Sequence, residues 1–127
     1  MKSLLLDTET LIWWDANDKR LGKTARGAIH DAAVVFVSAA SAWEITIKVA
    51  LGKLETTRTP TVAVEQAGFR MLAVSFAHAE AVHELPPHHR DPFDRLIVAT
   101  ARVDGLTVVS SDPLFRLYDV ALVDATR

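Results

Sequence analysis

Residues 92–112 read PFDRLIVATARVDGLTVVSSD, and this stretch decides the fold. Proline opens a helix at no cost, because its missing N–H is one that a first turn leaves unpaired anyway. From Pro92 to Asp104 apolar residues recur at helical spacing, and Gly105 follows where a helix is commonly ended. Leu106–Val109 is then a short apolar run, read as a buried strand, that leads to Ser110, Ser111 and Asp112. A helix handing over to a buried strand within two residues is the repeating unit of an α/β protein.

The same pattern extends in both directions. Upstream, Ser3–Leu6 and Val34–Val37 read as strands, Thr8–Asp15, Thr24–Ala33 and Ser41–Leu51 as helices, with Gly52 after the last. Thr61–Arg70 reads as a helix with Pro60 at its mouth, Met71–Val74 as a strand, and Ala77–Leu85 as a short helix stopped by Pro86 and Pro87. Downstream, Val120–Val123 is a last strand. Strands alternating with helices predict a mostly parallel central sheet covered on both faces, a three-layer α/β/α fold. Such sheets place ligands at the carboxyl ends of their strands, and two acids stand there: Asp7 after the first strand and Asp112 after a late one.

The 127 residues suit a single domain over 1–127, and half of them are apolar, enough for a real core. No internal repeat or long linker is visible. With no cysteine, disulfides, thiolate metal sites and cysteine nucleophiles are excluded. The leading apolar run is only three leucines before Asp7, too short for a signal peptide, and no stretch nears the roughly 18 apolar residues of a membrane span. A cytoplasmic protein without membrane contact is expected. The formal charge of −2 rules out holding nucleic acid by bulk charge, so any such contact must be local.

Four acids carry the chemical argument. On the helix from Pro92, Asp94 falls on the side of Ile97, Val98 and Ala101, away from the polar face of Arg95 and Arg102. A carboxylate in an apolar sector is costly unless a cation or hydrogen bonds compensate it. Glu44 shares a face with Ile47, Lys48 and Leu51; alone, it makes an ordinary i,i+4 pair with Lys48 worth about 0.3–0.5 kcal/mol. Asp7 also reads as an N-cap, and Asp112 as a turn-starting Asp-Pro. Taken together, two acids at strand ends and two on neighbouring helices would repel one another unless a cation sits among them. Oxygen-only ligands favour Mg²⁺ or Mn²⁺, and such clusters serve phosphodiester chemistry.

At these residues the chain resembles PIN-domain proteins, specifically VapC-type toxins, over nearly its whole length. LLLDTETLIWW (4–14), SAASAWEITIKVALGKL (38–54), HHRDPFDRLIVATA (88–101) and VVSSDPLF (108–115) match the family's four acid-bearing segments in order, with Asp94 rather than Asp91 as the third acid. The resemblance implies a PIN-like α/β/α fold and a metal site of Asp7, Glu44, Asp94 and Asp112 for Mg²⁺ or Mn²⁺. It also implies an endoribonuclease toxin acting on structured RNA of translation, transfer or ribosomal. A cognate antitoxin and a homodimer are further implications. Hydrolysis by an activated water, leaving a 3′-hydroxyl and a 5′-phosphate, is expected, without a histidine base.

The chain departs from many relatives at Glu9, where Asn or His is common; solvent is its expected surrounding. Ser110 is a candidate to orient a ligand. Lys48, Lys53, Arg90 and Arg95 are candidate RNA contacts, and the stretch Leu51–Thr59 is expected to shape a substrate groove or meet the antitoxin. His88 and His89 adjoin Arg90 as further candidates to hold phosphates; a transition-metal site is the alternative, and ordinary loop residues the plainer reading. Trp14 and Trp43 fit a core or subunit interface, with Trp13 the more exposed. Two rivals differ in class. A phosphorelay receiver needs Asp and Lys at strand ends where Ser38 and Ser110 stand. A PIN-like binding protein without catalysis, or a nuclease for DNA, keeps the fold and changes the chemistry.

Overall fold

A computed structural model describes residues 2–127. Five strands, β1 (Ser3–Leu6), β2 (Val34–Ser38), β3 (Arg70–Leu72), β4 (Thr107–Ser110) and β5 (Leu122–Asp124), form one sheet in the order β3-β2-β1-β4-β5, and every pairing is parallel. The helices are α1 (Thr8–Asp15), α2 (Lys23–Asp31), α3 (Ala39–Ala50), α4 (Pro60–Ala67), α5 (Phe76–Ala81) and α6 (Pro92–Asp104). Two 3₁₀ turns, Val82–Glu84 and Pro113–Leu117, complete the regular structure.

The three leucines of β1 explain the layering. Side chains alternate along a strand, so Leu4 and Leu6 enter one core with Leu11, Ile29, Val37 and Val64, while Leu5 enters another with Ile97, Val98, Val108 and Phe115. A central strand apolar on both faces must be covered twice, and it is, which makes the three-layer α/β/α arrangement. No helix among the described residues is long and apolar enough to cross a membrane.

The element boundaries differ from expectation in instructive places. The helix expected over Thr61–Arg70 stops at Ala67, because Gly68 turns left-handed at φ 74° and frees Arg70 to open β3. The helix expected from Ser41 starts earlier, at Ala39, because the Ser38 hydroxyl caps it by accepting from the Ala40 N–H. The helix expected over Ala77–Leu85 divides into α5 and a 3₁₀ turn.

The tryptophans invert their expected order. Trp13 is buried, with the Arg20 guanidinium 5.2 Å from its ring centre, whereas Trp43 is 64% exposed and meets the edge of Phe93. Trp14 is half-buried against Phe69. At the β5 edge, the Gly22 N–H donates to the Ala125 carbonyl and the Ala25 N–H to that of Arg127. A Cβ at Gly22 would stand 2.3 Å from the Arg127 carbonyl, so only glycine fits.

Candidate active site

Because all strands run in one direction, their carboxyl ends share one rim. Asp7 follows β1 there and is buried. One of its oxygens caps α1 by accepting from the Thr10 N–H at 2.8 Å; the other accepts from the Ser110 hydroxyl at 2.6 Å. The side chain therefore makes the expected cap while standing at the carboxyl rim of the sheet. Burial raises its pKa above the ordinary carboxylate value, against the lowering effect of those hydrogen bonds.

Asp94 lies in the first turn of α6, whose N-cap is Asp91. It is half-buried, as its place on the helix beside Ile97, Val98 and Ala101 predicts. Its pKa is pushed up to about 7, first by burial and then by the charges of Asp91 and Asp7, with His89 opposing. Glu44 projects from α3. Its Oε2 pairs with Lys48 Nζ at 3.1 Å, the i,i+4 pair expected, but its Oε1 is buried with no hydrogen-bond partner among the described residues. A buried oxygen of this kind is rare and costly unless something absent from the chain itself completes it.

Asp112 follows β4. Its Oδ1 caps the 3₁₀ turn through the Leu114 N–H, and its Oδ2 lies 2.7 Å from His89 Nε2. The same His89 nitrogen is 3.1 Å from Asp94 Oδ2. Asp7, Glu44, Asp94 and Asp112 thus line one cavity of about 320 Å³, together with Glu9, Lys48, Asp91 and Ser111. Glu9 is exposed and accepts from the Ser111 hydroxyl at 3.1 Å, so it belongs to the rim.

The donor set fits a hard divalent cation: several carboxylates, one raised well above its usual pKa by burial and then by like charges, and one buried oxygen without a partner among the described residues. His89, Asp94 and Asp112 also bring ligand-type atoms within 4.8 Å of one another. The sequence shows His89 beside Arg90 but not its place against two of the acids. Its acids lie five and 23 residues further on and meet it only once α6 and β4 pack, so no local spacing signals it.

The basic candidates separate. Lys48 lines the cavity, while Lys53 and Arg90 are exposed on loops. Arg95 is a correction. One terminal nitrogen of its guanidinium donates to the carbonyls of Pro86 and His89 and to the Tyr118 hydroxyl, and the other to those of Val82 and Leu85. It ties the 82–89 segment together and has no open fork for a phosphate. The stretch Leu51–Thr59 contributes Glu55, Thr56, Thr57 and Arg58 to a separate cavity of about 340 Å³ that also includes Leu11, Ile12 and Ile45. Arg58 is held there by Asp15 at 2.8 Å.

The chain is 29% identical over 121 residues to Ribonuclease VapC22 of Mycobacterium tuberculosis, covering 93% of each protein. Its fold matches the crystal structure of VapBC2 from Rickettsia felis bound to a promoter DNA fragment, with a TM-score of 0.71 at 12% identity, covering 96% of this chain and 98% of that one. It also matches Mycobacterium tuberculosis VapC20, described as a sarcin-ricin loop cleaving toxin, with a TM-score of 0.62 at 19% identity over 95% and 98% of the two chains. The PIN domain model matches residues 4–121, a span that contains all six acids of the cavity. With that span, this sheet order and this rim of carboxylates, the chain belongs to the PIN domain family.

Proposed function

We propose that this protein is a divalent-metal-dependent endoribonuclease, the toxin of a toxin–antitoxin pair, that cleaves a structured RNA of translation. The observation that carries the reading is the convergence of Asp7, Glu44, Asp94 and Asp112 on one cavity in which a buried Glu44 oxygen has no partner among the described residues. The resemblance to a ribonuclease and to toxin–antitoxin complexes supports it. Transfer or ribosomal RNA is the substrate class, in line with the neighbour described as cleaving the sarcin-ricin loop. A single domain over residues 1–127 acting in the cytoplasm, a homodimer, and a complex with a small antitoxin belong to the same reading.

Asp7, Glu44, Asp94 and Asp112 would hold Mg²⁺ or Mn²⁺. When bound, such an ion supplies charge neutralisation at a phosphate and an acidified water as nucleophile. The chain's own residues do the rest. Ser110 and the Thr10 N–H fix both oxygens of Asp7, so its remaining lone pairs are aimed without loss of rotamer freedom on binding. Lys48 offers a cation at the cavity wall for a substrate phosphate, with exposed Lys53 and Arg90 flanking. Leu51–Thr59 faces a different cavity, so of its two expected roles contact with the antitoxin is favoured.

The test is cleavage-site mapping on total RNA with purified protein. Asp7→Asn and Asp94→Asn are expected to abolish cleavage while circular dichroism stays native, and EDTA should do the same to the wild type. Cleavage at near-normal rate in both variants with EDTA present would end the reading. A DNA substrate cut as fast as RNA would move it to the rival nuclease class, and a folded, metal-loaded protein that cuts neither would make it a binding protein.

A further inference from the structure

The ring of His89 is fixed by two contacts of opposite kind. Its Nδ1 accepts the N–H of Asp91 at 3.1 Å. A backbone amide aimed at Nδ1 requires a lone pair there, and a neutral imidazole with its lone pair on Nδ1 carries the proton on Nε2. That Nε2 is the atom lying 2.7 Å from Asp112 Oδ2 and 3.1 Å from Asp94 Oδ2.

A histidine that ligates a metal is wired the other way. It turns a lone pair to the ion, and its second ring N–H donates to a carbonyl or carboxylate that fixes the tautomer. At His89 the second nitrogen meets a donor. We propose that His89 is a hydrogen-bond donor that positions Asp112 and stands against Asp94 without a directed bond to it, and is not a metal ligand, although the three residues lie at chelating distance.

The surroundings hold the ring to this task. The His89 N–H donates to the Tyr118 hydroxyl at 2.8 Å, its carbonyl accepts from Arg95, and its ring edge meets buried Phe115. Arg95 therefore acts on the site through His89 by pinning the segment that carries it. The donor sits on the Oδ2 side of both acids. Glu44 Oε1 is left without a hydrogen-bond partner among the described residues, and a cation there would find oxygen ligands. Oxygen ligands of this kind suit Mg²⁺ and Mn²⁺.

The inference rests on the nuclease reading only for its bearing on catalysis, and its tests use neither RNA nor cleavage. Long-range ¹H–¹⁵N spectra of the wild type, metal-free and with Mg²⁺, are expected to show the Nε2–H tautomer in both. A ring protonated on Nδ1, alone or together with Nε2, overturns the proposal. His89→Gln keeps an N–H near the position of Nε2, and His89→Ala removes it. By calorimetry, Mg²⁺ should bind His89→Gln within about threefold of wild type and His89→Ala roughly 10-fold or more weakly, the usual loss for a residue that orients a ligand. Gln as weak as Ala, or a larger loss for Zn²⁺ than for Mg²⁺ in both variants, would make His89 a nitrogen ligand.

Discussion

Helix α6 carries a histidine–carboxylate contact at each end, and the two are wired alike. At its carboxyl end, Asp104 lies 2.9 Å from His78 Nε2, while His78 Nδ1 accepts the Ser75 N–H at 3.1 Å within a capping box. At its amino end, His89 has the same amide on Nδ1 but faces two acids with Nε2. One donor for one acid closes the account at the first end. One donor bonded to Asp112, with Asp94 3.1 Å away and Asp7, Glu44 and Asp91 nearby, leaves negative charge without compensation at the second. The difference separates a tie between helices from a site: what matters is not a histidine beside an acid but how many acids remain unmatched.

The sharpest break is by neutralising one acid at each end. Asp94→Asn should lower the rate of RNA cleavage on the order of a thousandfold or more, about 4 kcal/mol at the barrier. Asp104→Asn should leave it within about twofold, since it touches nothing in the cavity. Equal losses would erase the distinction.

Stability should move the opposite way. His78→Ala strands Asp104 and the Ser75 N–H, a loss of roughly 1–3 kcal/mol that calorimetry would read as a fall of several degrees in melting temperature. Metal-free Asp94→Asn should melt higher than wild type at pH 8, because it removes a half-buried charge among like charges.

The pH dependence sharpens this. Folding raises the Asp94 carboxyl to about 7 from an ordinary 3.8. Its protonated form thus favours the folded state fully below about pH 4, and that advantage is lost as pH rises through about 7. Asp7 is shifted in the same direction. The metal-free melting temperature should fall between pH 5 and pH 8, flatten in Asp94→Asn, and recover on adding Mg²⁺. Asp18 and Asp124 have lowered pKa values, so their contributions fade only as pH falls through the acid range and do not overlap that window. The smallest effect marks where the crowded end stops: Glu9→Gln, on the exposed rim, should change stability by less than about 0.5 kcal/mol and cleavage by no more than a few-fold.

Much of this was legible in the order of residues. The alternation of elements is written in Pro92, Gly105 and the apolar runs, and the inward face of Asp94 follows from 100° per residue. What escaped had no local period. The α1 run Leu11, Ile12, Trp13, Trp14 is apolar on every side, so nothing in it tells which tryptophan faces the sheet. Arg95 looks like any exposed arginine until the carbonyls of the 82–89 segment fold around it. His89 gains its meaning from acids that arrive on other elements.

The bare α-carbon of Gly22, pressed against the Arg127 carbonyl, bears on how molecules of this protein meet one another. Strand β5 is a sheet border only three residues long, and the chain just beyond it is buttoned onto the start of α2. A border so short and so fastened offers neighbours little backbone to zip onto. Any side chain at position 22 would unbutton it, and the first symptom would be clumping at high concentration, ahead of any change in chemistry at the acids.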